Sequence, residues 1–241
     1  MTSSAPNGWD GSAAAWLAEQ GEAGDFGRRC VLDGPMLARL RGRGFRAALD
    51  IGCGEGRFCR LMRAEGIRAV GIDPTETLLA EARRRDPGGD YRIGRAEDLD
   101  VPAGSFDLVV SYLTLIDIAD LAGAIAAMVA ALRPGGTLLI ANLTSFNTAG
   151  QPDGWVPDGD GVPRFRIDHY QEERSYWAEW RGIRIVNWHR PLGTYLGLLL
   201  GHGLILRHFS EPVPEAGDPR RIALHRRVPF FHVMEWEKPP G

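Results

Sequence analysis

Short apolar runs alternate with amphipathic stretches along the first part of the chain. The apolar runs predict strands at residues 45–51, 69–73, 91–93, 106–111 and 137–141. Between these runs, apolar residues recur at helical spacing, most clearly over residues 121–132. Strands that alternate with helices pair in parallel and are covered on both faces, so the pattern predicts a doubly wound α/β core.

This alternation of predicted strands and helices stops after residue 145. Residues 146–163 are rich in Gly, Pro and Asp, which predicts a long loop. Residues 164–188 are aromatic and alternating, which predicts extra strands outside the main sheet. We therefore predict that residues 146–190 are an α/β insertion after the fifth strand. It is expected to form a lid and substrate region above the carboxyl ends of the strands, where open α/β sheets bind ligands.

The remaining segments complete the predicted organisation. The alternation of helix and strand continues with a predicted helix at 191–202 and predicted strands at 204–209 and 228–236. The predicted core therefore comprises residues 45–145 and 191–241. Residues 1–44 are expected to cap the ligand site, with a loose arm followed by short helices at 13–19 and 34–41.

Composition and charge narrow the class of protein. Hydrophobic residues make up 44% of the chain and charged residues 24%, which is typical of globular proteins. No apolar run approaches the ~18 residues of a membrane span, and the start of the chain is unlike a secretory signal, so we expect a cytoplasmic protein. The net charge of −3 gives no electrostatic footprint for nucleic acid. The three cysteines are too few for a disulfide framework or a zinc site.

A glycine-rich turn is the strongest chemical feature. Residues 50–56, DIGCGEG, lie where the first predicted strand meets a helix. Glycines there allow positive φ and let a ligand approach the backbone closely, while the helix start offers free N–H groups. Asp73 ends the next strand, where a carboxylate can accept hydrogen bonds from both hydroxyls of a ribose. The turn therefore predicts a nucleoside-containing ligand.

Two residues argue against a nicotinamide or flavin dinucleotide. The dinucleotide fingerprint would place its third glycine at position 57, and this chain has Arg57. The carboxylate of Asp50, just before the turn, is poorly suited to a nearby pyrophosphate. It suits a ligand with an amino group and a sulfonium, which indicates S-adenosylmethionine.

Motifs in the same order resemble those of class I S-adenosylmethionine-dependent methyltransferases. They stand at residues 49–56, 70–74, 94–99, 105–111 and 132–137. The branch that the chain resembles acts on small molecules and quinones. The resemblance implies a Rossmann-like sheet of seven strands, mostly parallel, with an antiparallel last strand. It also implies S-adenosylmethionine as methyl donor and S-adenosylhomocysteine as product. No spacing of His, Asp and Glu in the chain suggests a metal site, so we expect no metal.

The resemblance also assigns ligand-binding residues. Gly52 and Gly54 would line the methionine part, Asp50 would lie near its amino group, and Asp73 would bind the ribose. The implied cofactor-binding set is Asp50, Gly52, Gly54, Asp73, Pro74, Arg95, Ala96, Glu97 and Ser111.

Two contacts stay open within this assignment. Arg95 stands where the family often has Asp or Asn. The adenine amino group would therefore be bound by Glu97, by Asp98 or by backbone groups. Arg28 or Arg29 can pair with the methionine carboxylate, and a surface role is the alternative for both.

The segment after the fourth strand bears on the methyl acceptor. Residues 111–115, SYLTL, lack the Asn/Asp-Pro-Pro-aromatic segment that holds a planar amino group in DNA and protein amide methyltransferases. A small-molecule acceptor is therefore favoured, with O-, N- or C-methylation all open. Methyl transfer is an in-line displacement, and a hydroxyl or carbon acid must also lose a proton.

The candidate bases lie in the predicted insertion. They are His189, His169 and Tyr170, of which His189 precedes a helix start and has the ordinary histidine pKa near 6.5 that suits proton abstraction. The alternative for His189 is a structural hydrogen bond between insertion and core. The tryptophans of this region can wall a flat substrate or form a small core of their own; they are Trp155, Trp177, Trp180 and Trp188.

Other functions remain as alternatives. They are an RNA or protein methyltransferase, a non-catalytic S-adenosylmethionine-binding module, and an aminopropyl transferase. The last would need an acidic polyamine site, for which Asp117 and Asp120 are the candidates. We expect a small-molecule substrate, no nucleic acid, no membrane, and a monomer or homodimer.

Overall fold

The computed structural model describes residues 7–240. The elements of this range, in chain order, are α1 (Trp9–Gln20), a π-helical turn (Arg28–Leu32), α2 (Asp33–Ala38), β1 (Ala47–Ile51), α3 (Arg57–Ala64), β2 (Arg68–Asp73), α4 (Glu76–Arg85), β3 (Asp90–Ile93), β4 (Phe106–Tyr112), α5 (Leu121–Ala131), β5 (Leu132–Leu143), α6 (Ser145–Ala149), β6 (Trp155–Pro157), β7 (Pro163–Phe165), β8 (Arg174–Trp180), β9 (Ile183–His189), α7 (Leu192–Gly201), β10 (Ile205–Ser210), α8 (Pro219–His225) and β11 (Phe231–Glu237).

The main sheet has seven strands in the order β3-β2-β1-β4-β5-β11-β10. Strands β1 to β5 pair in parallel, and β11 is antiparallel to both β5 and β10. The predicted Rossmann-like sheet, mostly parallel with an antiparallel last strand, is thus confirmed. Its apolar strands are buried because helices cover both faces.

The core consists of a layer on each face of this sheet. On one face Leu49 and Val109 pack with Met128 of α5 and Leu199 of α7. On the other face α2 and α3 cover β1, with Met62 among the buried side chains. Successive residues of each strand point to opposite faces, so both layers draw on the same short apolar runs. The polar groups of the site are therefore confined to the carboxyl edge of the sheet.

The strand order reverses at β1. Ile51, the last residue of β1, pairs with Ile72 of β2 on one side and with Ser111 of β4 on the other. In open α/β sheets such a switch point leaves a crevice above the carboxyl ends of the strands. The glycine turn that follows Ile51 enters this crevice.

The prediction of a long loop over residues 146–163 is wrong. The segment contains most of α6 and all of β6, and it leads into β7, which pairs with β6 in a hairpin. The Thr144 hydroxyl caps α6 by accepting a hydrogen bond from the Asn147 N–H at 3.1 Å. Trp155 and Phe165 pack edge to face across the hairpin, with ring centroids 5.3 Å apart. A cap and an aromatic cross-strand pair thus order a segment whose composition is typical of loops.

The extra strands predicted for residues 164–188 are present. Strands β8 and β9 form a two-stranded antiparallel sheet separate from the main sheet. The predicted loose arm spans residues 1–10. Residues 1–6 lie outside the described residues, and the helix α1 already begins at Trp9, so the arm prediction is wrong for Trp9 and Asp10.

Helix α1 is joined to the insertion by hydrogen bonds. The Ser12 hydroxyl donates to the Arg184 carbonyl and accepts from the Arg184 N–H, both at 2.9 Å. The Val186 N–H donates to the Asn7 carbonyl at 2.9 Å. The start of the described chain and strand β9 therefore form one side of the molecule together.

Residues 220–227 form a locally basic run, which by itself indicates a solvated surface. Residues 220–225 of this run lie in helix α8. Asp218 caps it by accepting from the backbone N–H groups of Arg220 and Arg221, and Pro219 occupies its first turn. His225 is buried and stacks on Phe230 with ring centroids 4.2 Å apart. The solvated interpretation is therefore wrong for His225. Over residues 7–240 we find no helix whose length and apolar character would allow it to cross a membrane.

Candidate functional site

A cavity of about 990 Å³, its open mouth included, lies above the carboxyl ends of β1, β2 and β4. Its walls come from the glycine turn after β1, the end of β2, the loops after β3 and β4, and the N-terminal segment that includes α1. The strand ends converge here because the sheet reverses order at β1.

Most of the predicted cofactor-binding residues line this cavity. They are Asp50, Gly52, Gly54, Asp73, Pro74, Arg95, Ala96 and Glu97. Ser111 does not line it: the side chain is fully buried and its hydroxyl has no partner among the described residues. Tyr112, which points to the opposite face of β4, and Thr114 in the following loop line the cavity instead.

The glycine turn is closely packed against its neighbours. Gly52 and Gly54 have φ values of +70° and +54°, a region that favours glycine. A Cβ on Gly54 would lie 3.3 Å from the ring of Trp16. The Gly52 N–H donates to the Ile72 carbonyl at 2.8 Å. The turn is therefore fixed to β2, and it leaves a surface without side chains at the cavity floor.

Asp73 organises the end of β2. One carboxylate oxygen accepts from the Gly54 N–H at 2.9 Å and the other from the Thr75 N–H at 2.8 Å. Burial raises the pKa of Asp73, while these backbone donors oppose the rise. A carboxylate oxygen can accept more than one hydrogen bond, so Asp73 retains the capacity to accept from a pair of ligand hydroxyls.

Asp50 is buried beside the cavity with one oxygen unsatisfied. Its Oδ2 accepts from the Cys59 thiol at 3.3 Å, and its Oδ1 has no partner among the described residues. Burial, together with the negative charges of Asp73 and Glu55, raises the pKa of Asp50 to about 7, and the thiol hydrogen bond acts in the opposite direction. A buried, unpaired carboxylate is costly, so the site fits a ligand that brings a positive charge, such as an ammonium group.

Arginines at the cavity are held by acidic partners. Arg57 pairs with Asp33 at 2.5 Å, and Arg95 pairs with Glu97 at 2.6 Å. The side chain at position 57 therefore turns to α2, where a dinucleotide-binding turn would have its third glycine.

Arg28 and Arg29 are the two candidates for pairing with the methionine carboxylate. Arg28 lines the cavity, and Arg29 does not. The Arg28 guanidinium pairs with Asp25 at 2.6 Å. It also lies 5.4 Å from the ring centroid of Trp16 and 5.8 Å from that of Tyr112. Arg28 is thereby fixed between aromatic walls with its charge near the cavity.

The loop after β4 brings an acidic residue into the cavity. Asp117 lines it, and its carboxylate accepts a hydrogen bond from the side-chain amide of Asn187 in β9. The Trp9 side chain also donates to it, and burial raises the pKa of Asp117 to about 8. The sequence offered Asp117 only as a polyamine ligand, and its position directly after the fourth strand was the available signal.

Strand β9 holds this loop in place. The Arg190 guanidinium, almost fully buried, donates to the carbonyls of Ile118 at 2.7 Å and Ala119 at 2.9 Å. The Trp188 N–H donates to the Ile116 carbonyl at 2.7 Å. The insertion thus positions the loop that carries Asp117, and Arg190 serves this purpose.

His189 lies outside the cavity lining, and both of its ring nitrogens are engaged. Its Nε2 is 2.9 Å from the Tyr170 carbonyl, and its Nδ1 is 2.8 Å from the Thr148 hydroxyl. Because a carbonyl can only accept, Nε2 carries the proton and Nδ1 accepts from Thr148. Burial lowers the pKa of His189. The geometry supports the structural alternative for His189, and the base prediction finds no support in it.

The other candidate bases also lie outside the cavity lining. His169 is exposed, with Glu172 2.9 Å from its Nδ1, and this carboxylate raises the pKa of His169. The Tyr170 hydroxyl accepts from the Leu192 N–H at 3.2 Å. Its ring packs against Phe146 and His189. Both residues stabilise the insertion in this arrangement.

The tryptophans that line the cavity are Trp9 and Trp16 of α1, and none of the four proposed from the insertion does so. Trp9 and Trp16 pack edge to face with centroids 5.9 Å apart. Their spacing in the sequence places them on one face of a helix, which was the signal available.

In residues 7–240 no group of three or more His, Cys, Asp or Glu is arranged to hold a metal ion.

Comparison with known sequences identifies similar proteins. A family model described as a methyltransferase domain matches residues 49–140. The chain is 31% identical over 185 residues to the malonyl-acyl-carrier-protein O-methyltransferase of Yersinia pestis, and the match covers 74% of this chain and 68% of that protein. It is 32% identical over 99 residues to a ubiquinone biosynthesis O-methyltransferase of Bradyrhizobium, 39% of either chain.

Other curated relatives match over shorter segments, and the chain spans about half of their length. Among solved structures, an S-adenosylmethionine-dependent methyltransferase from Mesorhizobium loti superposes with a TM-score of 0.75 at 30% identity. That superposition covers 85% of this chain and 96% of the other.

Proposed function

The chain belongs to the family of class I S-adenosylmethionine-dependent methyltransferases, and we propose that it transfers the methyl group of S-adenosylmethionine to a small-molecule acceptor. The attacking atom would be an oxygen, nitrogen or carbon of that acceptor. The O-methyltransferases among its relatives favour oxygen.

The observation that carries this proposal is the pairing of two carboxylates at one cavity. Asp50 is the last residue but one of β1, Asp73 ends the adjacent parallel strand β2, and Gly52 lies in the turn after β1. All three line the same space. The unpartnered Oδ1 of Asp50 would pair with the methionine ammonium, and Asp73 would accept hydrogen bonds from the ribose hydroxyls. Arg28 would hold the methionine carboxylate.

The loop after β3 would hold the adenine. Arg95, Ala96 and Glu97 line the cavity there, and the 2.6 Å ion pair between Arg95 and Glu97 fixes the loop. When bound, S-adenosylmethionine supplies a methyl group on a positively charged sulfur.

The residues of the chain would then align the acceptor and exclude water. Effective in-line attack needs the reacting atoms to be held close together and in line. The aromatic side chains of Trp9, Trp16 and Tyr112 form an apolar wall that suits this task. We propose that residues 1–44 and 146–190 act together as the cap and lid, which the hydrogen bonds between α1 and β9 support.

Calorimetric titration tests the cofactor assignment. We expect S-adenosylmethionine and S-adenosylhomocysteine to bind the purified protein, and NADH not to bind, because Arg57 and Asp50 oppose a pyrophosphate. Binding of NADH, or absence of S-adenosylmethionine binding, would overturn the proposal.

Transfer of a labelled methyl group to a panel of phenols, amines and carboxylic acids tests the activity. We expect turnover with at least one acceptor class. Mass spectrometry of metabolites that shift by one methyl group in a deletion strain then narrows the acceptor. Tight cofactor binding without turnover across the panel would favour the non-catalytic binding module.

A further inference from the structure

Three carboxylates that line the cavity form no salt bridge with a described residue: Asp50, Asp73 and Asp117. The proposed function uses the first two for the ammonium and the ribose. Asp117 is left without a role, although it stands on the loop after β4 with its carboxylate at the cavity.

The environment of Asp117 fixes its position without forming an ion pair with it. Asn187 donates its amide N–H to the carboxylate, and Trp9 donates from its side chain. Both donors are neutral, so they orient the carboxylate but leave it able to gain or lose a proton. The charged and titratable groups that face it are Arg28 and Asp73 across the cavity and Tyr176 of β8.

We propose that Asp117 is the base that removes the proton from the methyl acceptor, and that the acceptor is an aromatic hydroxyl compound. This inference rests on the proposed function. In the step, the acceptor oxygen forms a bond to the methyl carbon as the methyl–sulfur bond breaks. The electron pair of the broken bond stays on sulfur, giving neutral S-adenosylhomocysteine, and the hydroxyl proton passes to the Asp117 carboxylate.

The charges at the cavity favour this proton transfer. Burial raises the pKa of Asp117 in the ligand-free protein. A nearby sulfonium would favour the ionised carboxylate and make it ready to accept a proton. After transfer the sulfur is neutral, so that favourable charge is gone and the carboxyl group keeps the proton.

The cavity walls favour an aromatic hydroxyl over a carboxylate acceptor. Trp9, Trp16, Phe58 and Tyr112 line the cavity and offer flat apolar surfaces to a ring. A carboxylate acceptor would carry a charge of the same sign as Asp117, and it would need no base. A phenol needs one, and Asp117 is the carboxylate without another assignment.

Comparison of Asp117→Asn with Asp120→Asn tests the inference by activity. Asp120 is an exposed carboxylate in the same loop that caps α5, and Asn also caps helices well, so this matched control should stay within about twofold of wild type. With a panel of phenols and the benzoic acids of the same ring frameworks, we expect turnover of phenols. In Asp117→Asn the kcat for phenols should fall roughly 10²–10⁴-fold. The wild-type kcat should rise with pH as the base ionises, and the kcat of Asp117→Asn should not.

Proton release on cofactor binding gives a readout independent of activity. Calorimetry in two buffers of different ionisation enthalpy counts the protons released at pH 7. Wild type should release more protons than Asp117→Asn on binding S-adenosylmethionine, because the sulfonium favours the ionised carboxylate. The two proteins should not differ with the neutral thioether S-adenosylhomocysteine.

The outcomes separate this inference from the proposed function. Equal proton release together with unchanged kcat in Asp117→Asn overturns the inference and leaves the methyltransferase proposal intact, as does turnover of benzoic acids alone. A wild-type protein that binds no S-adenosylmethionine overturns both. Asp117→Ser serves as the second variant if Asp117→Asn does not fold, with thermal melting as the check.

Discussion

The side chain of Thr114 lies so close to Gly52 that a Cβ on Gly52 would be 2.2 Å from the Thr114 Cγ2 atom. The turn after β1 and the loop after β4 therefore touch at the point where the strand order reverses. This contact closes the floor of the cavity between the residues assigned to the methyl donor and the loop that carries Asp117. A residue with a side chain at position 52 would push the two segments apart.

Gly52→Ala should therefore weaken cofactor binding by a local effect. Alanine at positive φ costs roughly 1–2 kcal/mol of stability at any such site, and at Gly52 the clash with Thr114 adds to it. Gly66→Ala is the matched control, because Gly66 has φ +81° and a Cβ added there would meet no atom within 4 Å. We expect S-adenosylmethionine affinity to fall at least about tenfold in Gly52→Ala and to be retained in Gly66→Ala, measured by calorimetry. Equal affinities would show that the contact is unimportant.

Asp73→Ala should weaken S-adenosylmethionine by about 1.5–3 kcal/mol, because hydrogen bonds from the ribose hydroxyls to a charged acceptor are lost. The variant also frees the N–H groups of Gly54 and Thr75, so its melting temperature should fall. Calorimetric titration against Asp90→Ala, an exposed carboxylate on the neighbouring strand, provides the comparison. Unchanged affinity in Asp73→Ala would remove the ribose assignment.

Asp50 should make cofactor affinity rise with pH. Its pKa of about 7 in the ligand-free fold lies above the ordinary value near 4, so between these values the folded protein binds more protons than the unfolded chain. The contribution of Asp50 therefore makes the ligand-free protein less stable as pH rises through this window. A bound ammonium reverses the preference, because it pairs with the ionised form.

The measurable result is a stronger affinity for S-adenosylhomocysteine at pH 8 than at pH 6, by about tenfold for a group that titrates near 7. S-adenosylhomocysteine is the right probe, since it has the ammonium and lacks the sulfonium that would engage Asp117. Asp50→Asn should bind more weakly at pH 8 and show a flat pH profile. A wild-type affinity that is constant from pH 6 to 8 would contradict the pairing.

His189→Ala should destabilise the protein without a specific loss of catalysis. The substitution leaves the Tyr170 carbonyl without its partner, at roughly 1–3 kcal/mol, and leaves the Thr148 hydroxyl with only its 3.3 Å hydrogen bond to the Ser145 carbonyl. His202→Ala, at an exposed histidine after α7, should leave the melting temperature nearly unchanged. Activity per folded molecule decides between the roles of His189: a drop of 10²-fold or more, as expected for a general base, would restore the base assignment.

The hairpin between β6 and β7 should be the mobile part of the proposed lid. Residues 145–149 are largely buried, with the α6 cap at Thr144, so amides of this helix should exchange slowly with solvent. Residues 158–162 are exposed, and their amides should exchange fast in the ligand-free protein and slow down when donor and acceptor bind. Slow exchange at 158–162 before any ligand is added would argue against a lid.

The sequence by itself determines the core and brings together the residues that we assign to the methyl donor. Apolar runs with short periodicity predict the buried strands, and residues at the carboxyl ends of adjacent parallel strands must meet at one edge. Asp50, Gly52 and Asp73 are therefore brought together by features that are local in the chain. The roles that we propose for these residues could be predicted because each residue lies in a turn or at a strand end, and a few neighbouring residues are enough to predict such a feature.

Only the tertiary structure shows how the surroundings of His189 and Asp117 differ. His189 is bonded to Thr148, 41 residues away, and Asp117 to Asn187, 70 residues away. A residue type and its neighbours in sequence do not determine such partners. Ser111 shows the same limit on a smaller scale, since one residue along β4 separates a buried hydroxyl from the cavity-lining Tyr112.

The physical reason lies in what each level of structure controls. Periodicity in the sequence reflects which face of a strand or helix avoids water, and this depends on the element itself. Whether a polar side chain faces a cavity, and whether it keeps its charge there, depends on desolvation and on donors brought by distant segments. For Asp117 those segments are α1 and β9, which meet the loop after β4 only once the chain has folded.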